Sequence, residues 1–209
     1  ANLSEYSIGK RRLRLGLVGG GNGLIGAIHA NGARLSNRWD VVAGALSSNP
    51  ETAKSAGQKW HFDPDRCYLD FAEMAKAEAA RSDGIEAVAI VTPNHLHAPV
   101  ALEFMKRGID IICDKPLAAQ LEEAVDLTDE QKRSGVFFGV TYAYASHLMI
   151  RQAKEMVLSG DLGELRQVHV EYFQDWAIDL TDEGANAPWR LDREKSGPSF
   201  TVADIGTHA

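Results

Sequence analysis

Five short apolar segments alternate with amphipathic ones along the first two thirds of this chain. They are Leu13–Val18, Val41–Leu46, Ala87–Val91, Ile109–Cys113 and Val136–Val140. Each is apolar nearly throughout, not at every second position, so each reads as a strand buried on both faces. Helical patterns lie between them, at Leu24–Leu35, from Pro50 to about Lys59, at Phe71–Ala80, at His97–Arg107 and from Leu121 to about Arg133. Asn49-Pro50 is a helix start, with proline at the first position. Gly108 stands where a left-handed cap is needed. Strands alternating with helices predict a parallel sheet covered on both sides, an α/β doubly wound domain.

The pattern changes after Tyr142, where a domain boundary is expected, giving units 1–142 and 143–209. Met149–Leu158 reads as a helix closed by Ser159-Gly160. Glu164–Phe173 alternates apolar and polar residues and predicts a half-exposed strand of another kind. Gln174–Gly197 is long for a plain connection and reads as a functional loop.

With 209 residues, the chain has room for one domain or for a domain and part of another. Its net charge of −7 argues against a nucleic-acid partner. The basic cluster Lys10-Arg11-Arg12-Arg14 reads as a solvated edge of the first strand. No apolar run is long enough for a membrane span, and Ala1–Lys10 lacks the apolar core of a secretory signal. Cys67 and Cys113 are too few for a disulfide framework, which fits a reducing cytoplasm. No His/Cys cluster has the spacing of zinc ligands.

Chemistry concentrates at the strand tips, where open α/β sheets bind ligands. After the first strand comes Gly19-Gly20-Gly21-Asn22-Gly23-Leu24-Ile25-Gly26, with G-x-G-x-x-G at Gly21, Gly23 and Gly26. Between a strand and a helix, that pattern cradles a pyrophosphate at a helix N-terminus. The alternative frame from Gly19 lacks the third glycine. The second strand ends at Leu46-Ser47-Ser48, without the acid that usually holds a ribose 2′-hydroxyl. Ser47 can hydrogen-bond a ribose, and Lys54 or an N-terminal arginine could meet a 2′-phosphate, so NAD and NADP both stay open. The third strand runs into Thr92-Pro93-Asn94-His95-Leu96-His97, where Asn94 could equally be a helix cap. The fourth delivers Asp114-Lys115-Pro116. Asp204 and His208 follow near the end, spaced i and i+4.

These four motifs, in this order and spanning nearly the whole chain, resemble the Gfo/Idh/MocA oxidoreductases, which include glucose–fructose oxidoreductase and inositol dehydrogenase. The resemblance implies a Rossmann domain, then a C-terminal α/β domain with an open, mostly antiparallel sheet that also forms oligomers. It implies hydride transfer between NAD or NADP and a hydroxyl carbon of a sugar or polyol. Gly21, Asn22, Gly23, Leu24, Ile25, Ser47, Thr92, Pro93, Asn94, His97, Asp114 and Lys115 would then hold the cofactor. Lys115, Asp204 and His208 would be catalytic. His208 is the expected base and Lys115 the group that orients the hydroxyl, with the reverse division left open. Asp114 replaces the family's usual glutamate. Tyr142-Ala143-Tyr144 replaces its usual Arg-aromatic pair, leaving Tyr144 as a substrate contact. Trp176, Trp189 and Arg190 are candidate sugar contacts. Family members run well beyond this length, so the chain is expected to be part of a longer protein. The rival expectation is a cofactor-binding module without turnover.

Overall fold

The computed structural model describes residues 11–175, 178 and 189–208. Its centre is a five-stranded sheet: β1 Leu13–Val18, β2 Trp39–Ala45, β3 Ala87–Ile90, β4 Asp110–Asp114 and β5 Phe138–Thr141. The spatial order is β2-β1-β3-β4-β5, and every neighbouring pair is parallel. Past β2 the sheet is extended by a single parallel bridge, Gly44 to Cys67.

Successive residues of a strand face opposite sides of the sheet, so one apolar strand feeds two cores. Leu15 and Leu17 of β1 pack with Ala30 and Ala33 of α1 (Leu24–Leu35) and Ala56 of α2 (Pro50–Lys59). On the other face, Val88, Ile90, Ile111 and Cys113 meet three helices: Met74 of α3 (Phe71–Ala80), Phe104 of α4 (His97–Met105) and Leu127 of α5 (Leu121–Ser134). Each fully buried aliphatic side chain contributes about 1.5–3 kcal/mol relative to exposure. Local signals set the helix ends. Asn49 Oδ1 accepts from the Thr52 amide, and Asp70 Oδ1 accepts from Ala72 and Glu73. Gly108 and Gly135 close α4 and α5 with φ of 72° and 71°.

The chain leaves β1 toward β2 on one side, and β3 lies on the other. Val18 pairs with Ile90, so the loops after β1 and β3 emerge side by side. That switch point is where a doubly wound sheet opens a crevice.

Beyond β5 the chain forms α6 (Leu148–Leu158) and two short helices, α7 (Arg193–Ser196) and α8 (Phe200–Asp204). The strand expected at Glu164–Phe173 is not formed. That segment pairs with no other strand among the described residues and lies exposed. Alternation specifies which face a strand would bury, but a strand exists only when a neighbour satisfies its amides and carbonyls. The open antiparallel sheet is therefore not seen. Among the described residues, no helix is long and apolar enough to cross a membrane.

Candidate active site

Two glycines at positive φ, Gly19 at 83° and Gly20 at 73°, turn the chain sharply out of β1. A side chain at Gly20 would strike Gly26 Cα at 2.7 Å, and one at Gly26 would reach Gly20 O at 2.3 Å. This contact lets α1 press against the turn. At Gly21 a Cβ would meet Leu46 O at 2.9 Å, so it too is glycine for internal packing. Gly23 is different. A Cβ there would find nothing nearer than 3.6 Å, and its φ of −90° suits any residue. The protein's own packing does not explain this glycine. Gly23 is the N-cap of α1, without a side-chain cap and with no acid in the first turn. The free amides and the helix dipole therefore face the opening, an arrangement that attracts an anion.

The opening is a cleft of about 660 Å³. Gly20–Gly26, Val91–Asn94, Asp114, Lys115, Asp204 and His208 all line it. Of the expected cofactor residues, Gly21, Asn22, Gly23, Leu24, Ile25, Thr92, Pro93, Asn94, Asp114 and Lys115 thus share one cavity. Thr92 Oγ1 is buried there without a hydrogen-bond partner. Among the described residues the cleft also offers Gln174 and Ile205, which lie in stretches with no strand-tip signal to mark them.

Two expected cofactor residues lie elsewhere. Ser47 is not part of the cleft wall, and its Oγ accepts the Asn49 amide at 3.1 Å in the turn before α2. His97 is 1% exposed and sits behind the wall. Its Nδ1 lies 2.7 Å from Pro116 O and its Nε2 3.0 Å from Thr92 O. Both ring nitrogens face backbone carbonyls, so it has no free edge for a dinucleotide. Asn94 does not cap a helix. Its Nδ2 donates to Ser196 O at 2.8 Å, joining the β3 tip to α7.

Lys115, at the tip of β4, meets Asp204 across 89 residues of sequence. Its Nζ donates to Asp204 Oδ1 and to Asp204 O, both at 2.6 Å. The two side chains are 18% and 20% exposed, so they reach the cleft and are shielded from bulk water. Asp114 Oδ1 accepts Thr141 Oγ1 at 2.8 Å, which anchors the residue before the lysine to β5. The Lys115–Pro116 peptide is cis.

Asp204 and His208 do not lie on one α-helix, contrary to the i, i+4 reading. The α-helix ends at Asp204, and Gly206–His208 is a 3₁₀ turn. Asp204 consequently serves Lys115. The His208 ring packs on Tyr144, with centroids 4.4 Å apart, and edge-on to Tyr142 at 5.6 Å. Its Nδ1 is buried without a partner. Burial, and then the Lys115 cation, hold its pKa below the usual histidine value, against smaller opposing effects of Asp114 and Asp204.

Tyr144, Trp189 and Arg190 line the same cleft. The Arg190 guanidinium lies 4.8 Å over the Trp189 ring and its Nε is 3.9 Å from Asp204 Oδ1. Tyr144 Oη is 3.1 Å from Tyr172 Oη, and the two rings stack. Trp176 lies outside the described residues.

Residues 13–142 match the model of an oxidoreductase family with an NAD-binding Rossmann fold, GFO/IDH/MocA. Residues 150–209 match the GFO/IDH/MocA C-terminal domain. An uncharacterized oxidoreductase of Bacillus subtilis, YfiI, is 35% identical over 212 residues, covering 99% of this chain and 53% of that protein. An inositol dehydrogenase homolog from Azotobacter vinelandii, solved with NADH and myo-inositol, superposes with a TM-score of 0.83. It is 36% identical, over 95% of this chain and 50% of that one. Levoglucosan dehydrogenase in complex with NADH and levoglucosan gives a TM-score of 0.75 at 27% identity, over 95% and 52% of the two chains. The chain thus spans about half the length of the relatives it matches. With its switch-point cleft and both family models in sequence order, the chain belongs to the Gfo/Idh/MocA oxidoreductase family.

Proposed function

We propose that this chain carries the cofactor site and catalytic residues of an NAD(P)-dependent oxidoreductase acting on a hydroxyl carbon of a sugar or polyol. One observation carries this reading: Lys115 and Asp204, in contact with each other, and His208 line the same cleft as the glycine loop. The residues fit a dinucleotide. Gly23 leaves room that packing does not require, the α1 N-terminus is open to an anion, and Thr92 Oγ1 is a buried polar atom in want of a partner.

When bound, the nicotinamide accepts or gives the hydride. The hydroxyl proton is handled by the chain's own groups. The Lys115 ammonium, held by Asp204, donates a hydrogen bond toward the reacting oxygen and stabilises alkoxide character. An ammonium engaged in an ion pair is a donor and not a proton acceptor. His208 lines the same cleft, and burial, then the Lys115 cation, hold its pKa below the ordinary histidine value, which favours the neutral ring. On this reading His208 is the base and Lys115 the orienting partner. Stacked Tyr144 and the Trp189–Arg190 pair offer an apolar plate and donors for a hydroxylated ring. The named relatives bind myo-inositol and levoglucosan, two compact polyhydroxylated rings, which supports that substrate class. Two unpaired cysteines suit a cytoplasmic setting.

Fluorescence titration with NADH and NADPH, followed by a polyol screen for cofactor reduction, tests the reading. Lys115→Ala is expected to abolish turnover and to leave cofactor affinity within a few fold. A variant that keeps most of its turnover would sink the assignment. Cofactor binding with no substrate reduced would favour a binding module.

A further inference from the structure

His97 is a buried histidine with no place in the chemistry above, yet it touches both loops that make the cleft. It opens α4, directly after the Thr92-Pro93-Asn94 tip of β3. Its Nδ1 is 2.7 Å from the carbonyl of Pro116, the residue after Lys115. Its Nε2 is 3.0 Å from Thr92 O. A carbonyl oxygen only accepts, so each contact calls for an N–H on the ring, and a neutral imidazole has one. The shorter contact is to Pro116. With 1% of the residue exposed, no water competes for it.

We propose that His97 is the positioning residue for Lys115: an Nδ1–H bond to the Pro116 carbonyl fixes the lysine-bearing loop to the cofactor-binding tip of β3. This deepens the reading proposed above and rests on it for the role of Lys115. The lysine leaves β4 just where the strand pairing ends, Asp114 opposite Thr141 being the last rung. On its N-terminal side it is anchored by the Asp114–Thr141 side-chain bond. On its C-terminal side, among the hydrogen bonds of the described residues, the His97–Pro116 bond plays the same part. Two anchors flanking one residue hold its backbone, leaving the side chain to be aimed by Asp204. A misplacement of about 1 Å at a catalytic group can cost on the order of 100-fold in rate.

The first test is the ring itself. Long-range ¹H–¹⁵N spectra of histidine-labelled wild type are expected to show His97 as the Nδ1–H tautomer with a slowly exchanging proton. A His97 ring protonated only at Nε2 overturns the proposal. The second test compares two amides. The amide nitrogen of His97→Asn stands where Nδ1 does and keeps the Pro116 bond. That of His97→Gln stands where Nε2 does and loses it. Labelling of Lys115 by trinitrobenzenesulfonate, read by peptide mass spectrometry, is expected to match wild type within twofold in His97→Asn and to run at least fivefold faster in His97→Gln. Equal rates in the two variants, or no change in His97→Gln, overturn the proposal. If either variant fails to fold, judged by circular dichroism, the wild-type ring spectrum decides. Neither readout uses cofactor or substrate. A wild type that binds no NADH or NADPH refutes the functional reading and leaves these results to stand separately.

Discussion

Gly23→Ala separates a glycine kept for a ligand from a glycine kept for packing, with Gly26→Ala as its counterpart. At Gly23 the new methyl would lie 3.6 Å from its nearest neighbour, an ordinary contact, at a φ of −90°. The fold loses only the difference between glycine and alanine at an N-cap, about 0.5–1 kcal/mol. For a chain of this size that is a fall in Tm of roughly 1–4 °C. At Gly26 the methyl would sit 2.3 Å from Gly20 O, so α1 or the turn must move by about 1 Å. Such overpacking costs about 1–3 kcal/mol, or roughly 2–12 °C. Binding should follow a different order from stability. A methyl on the open side of Gly23 keeps a phosphate from the α1 amides, and losing one charge-assisted bond costs about 1.5–3 kcal/mol. That is a rise in the NADH Kd of roughly 10–150-fold. Fluorescence titration and thermal melting of both variants check this. Gly23→Ala binding NADH within twofold of wild type would refute the reasoning, because its bare backbone would then serve nothing.

Two further outcomes concern stability. Glu78 is buried completely and is bonded to Arg66, Tyr68 Oη and the Ile85 amide. Glu78→Ala would leave the buried Arg66 guanidinium only its weaker contacts to Asp83, the carbonyl at 3.3 Å and the carboxylate at 3.7 Å, at a cost of about 3–5 kcal/mol, a fall in Tm of roughly 6–20 °C by calorimetry, with NADH affinity unchanged in the folded variant at low temperature. Burial also lowers the pKa of His29, His97 and His208 in the fold. Below about pH 6.5 the unfolded chain therefore takes up protons first, and stability falls as pH falls through that value toward the folded ones. Glu86, held at about 2 chiefly by Arg11, adds a loss in the same direction at lower pH, from its ordinary carboxylate range downward. Urea midpoints that stay flat from pH 7.5 to 5 would contradict the histidine part.

The strand and helix order of the Rossmann half was legible because each element carries its own reason. Leu15–Val18 and Ala87–Ile90 are apolar on both faces, and Asn49, Pro50, Gly108 and Gly135 mark helix ends through local bonds or backbone conformation. The glycine loop and Lys115 were legible for the same reason, since a strand tip is a position that sequence defines. Glu164–Phe173 was misread because its alternation states a preference and not a partner. His97 was misplaced because its motif puts it close to the cleft in sequence, while the turn of α4 carries the ring behind the wall.

Sequence alone determined the parallel architecture, the glycine loop between strand and helix and the residue types that could do proton chemistry, because these follow from periodicity, turn conformation and side-chain chemistry within a few residues. Only the tertiary structure decided the pairings. It placed Asp204 on Lys115 and not on His208, left His208 Nδ1 unengaged, and set His97 between two carbonyls. Those contacts join residues as many as 89 apart, and their geometry depends on where the helix stops at Asp204, a fact of packing that no local pattern encodes.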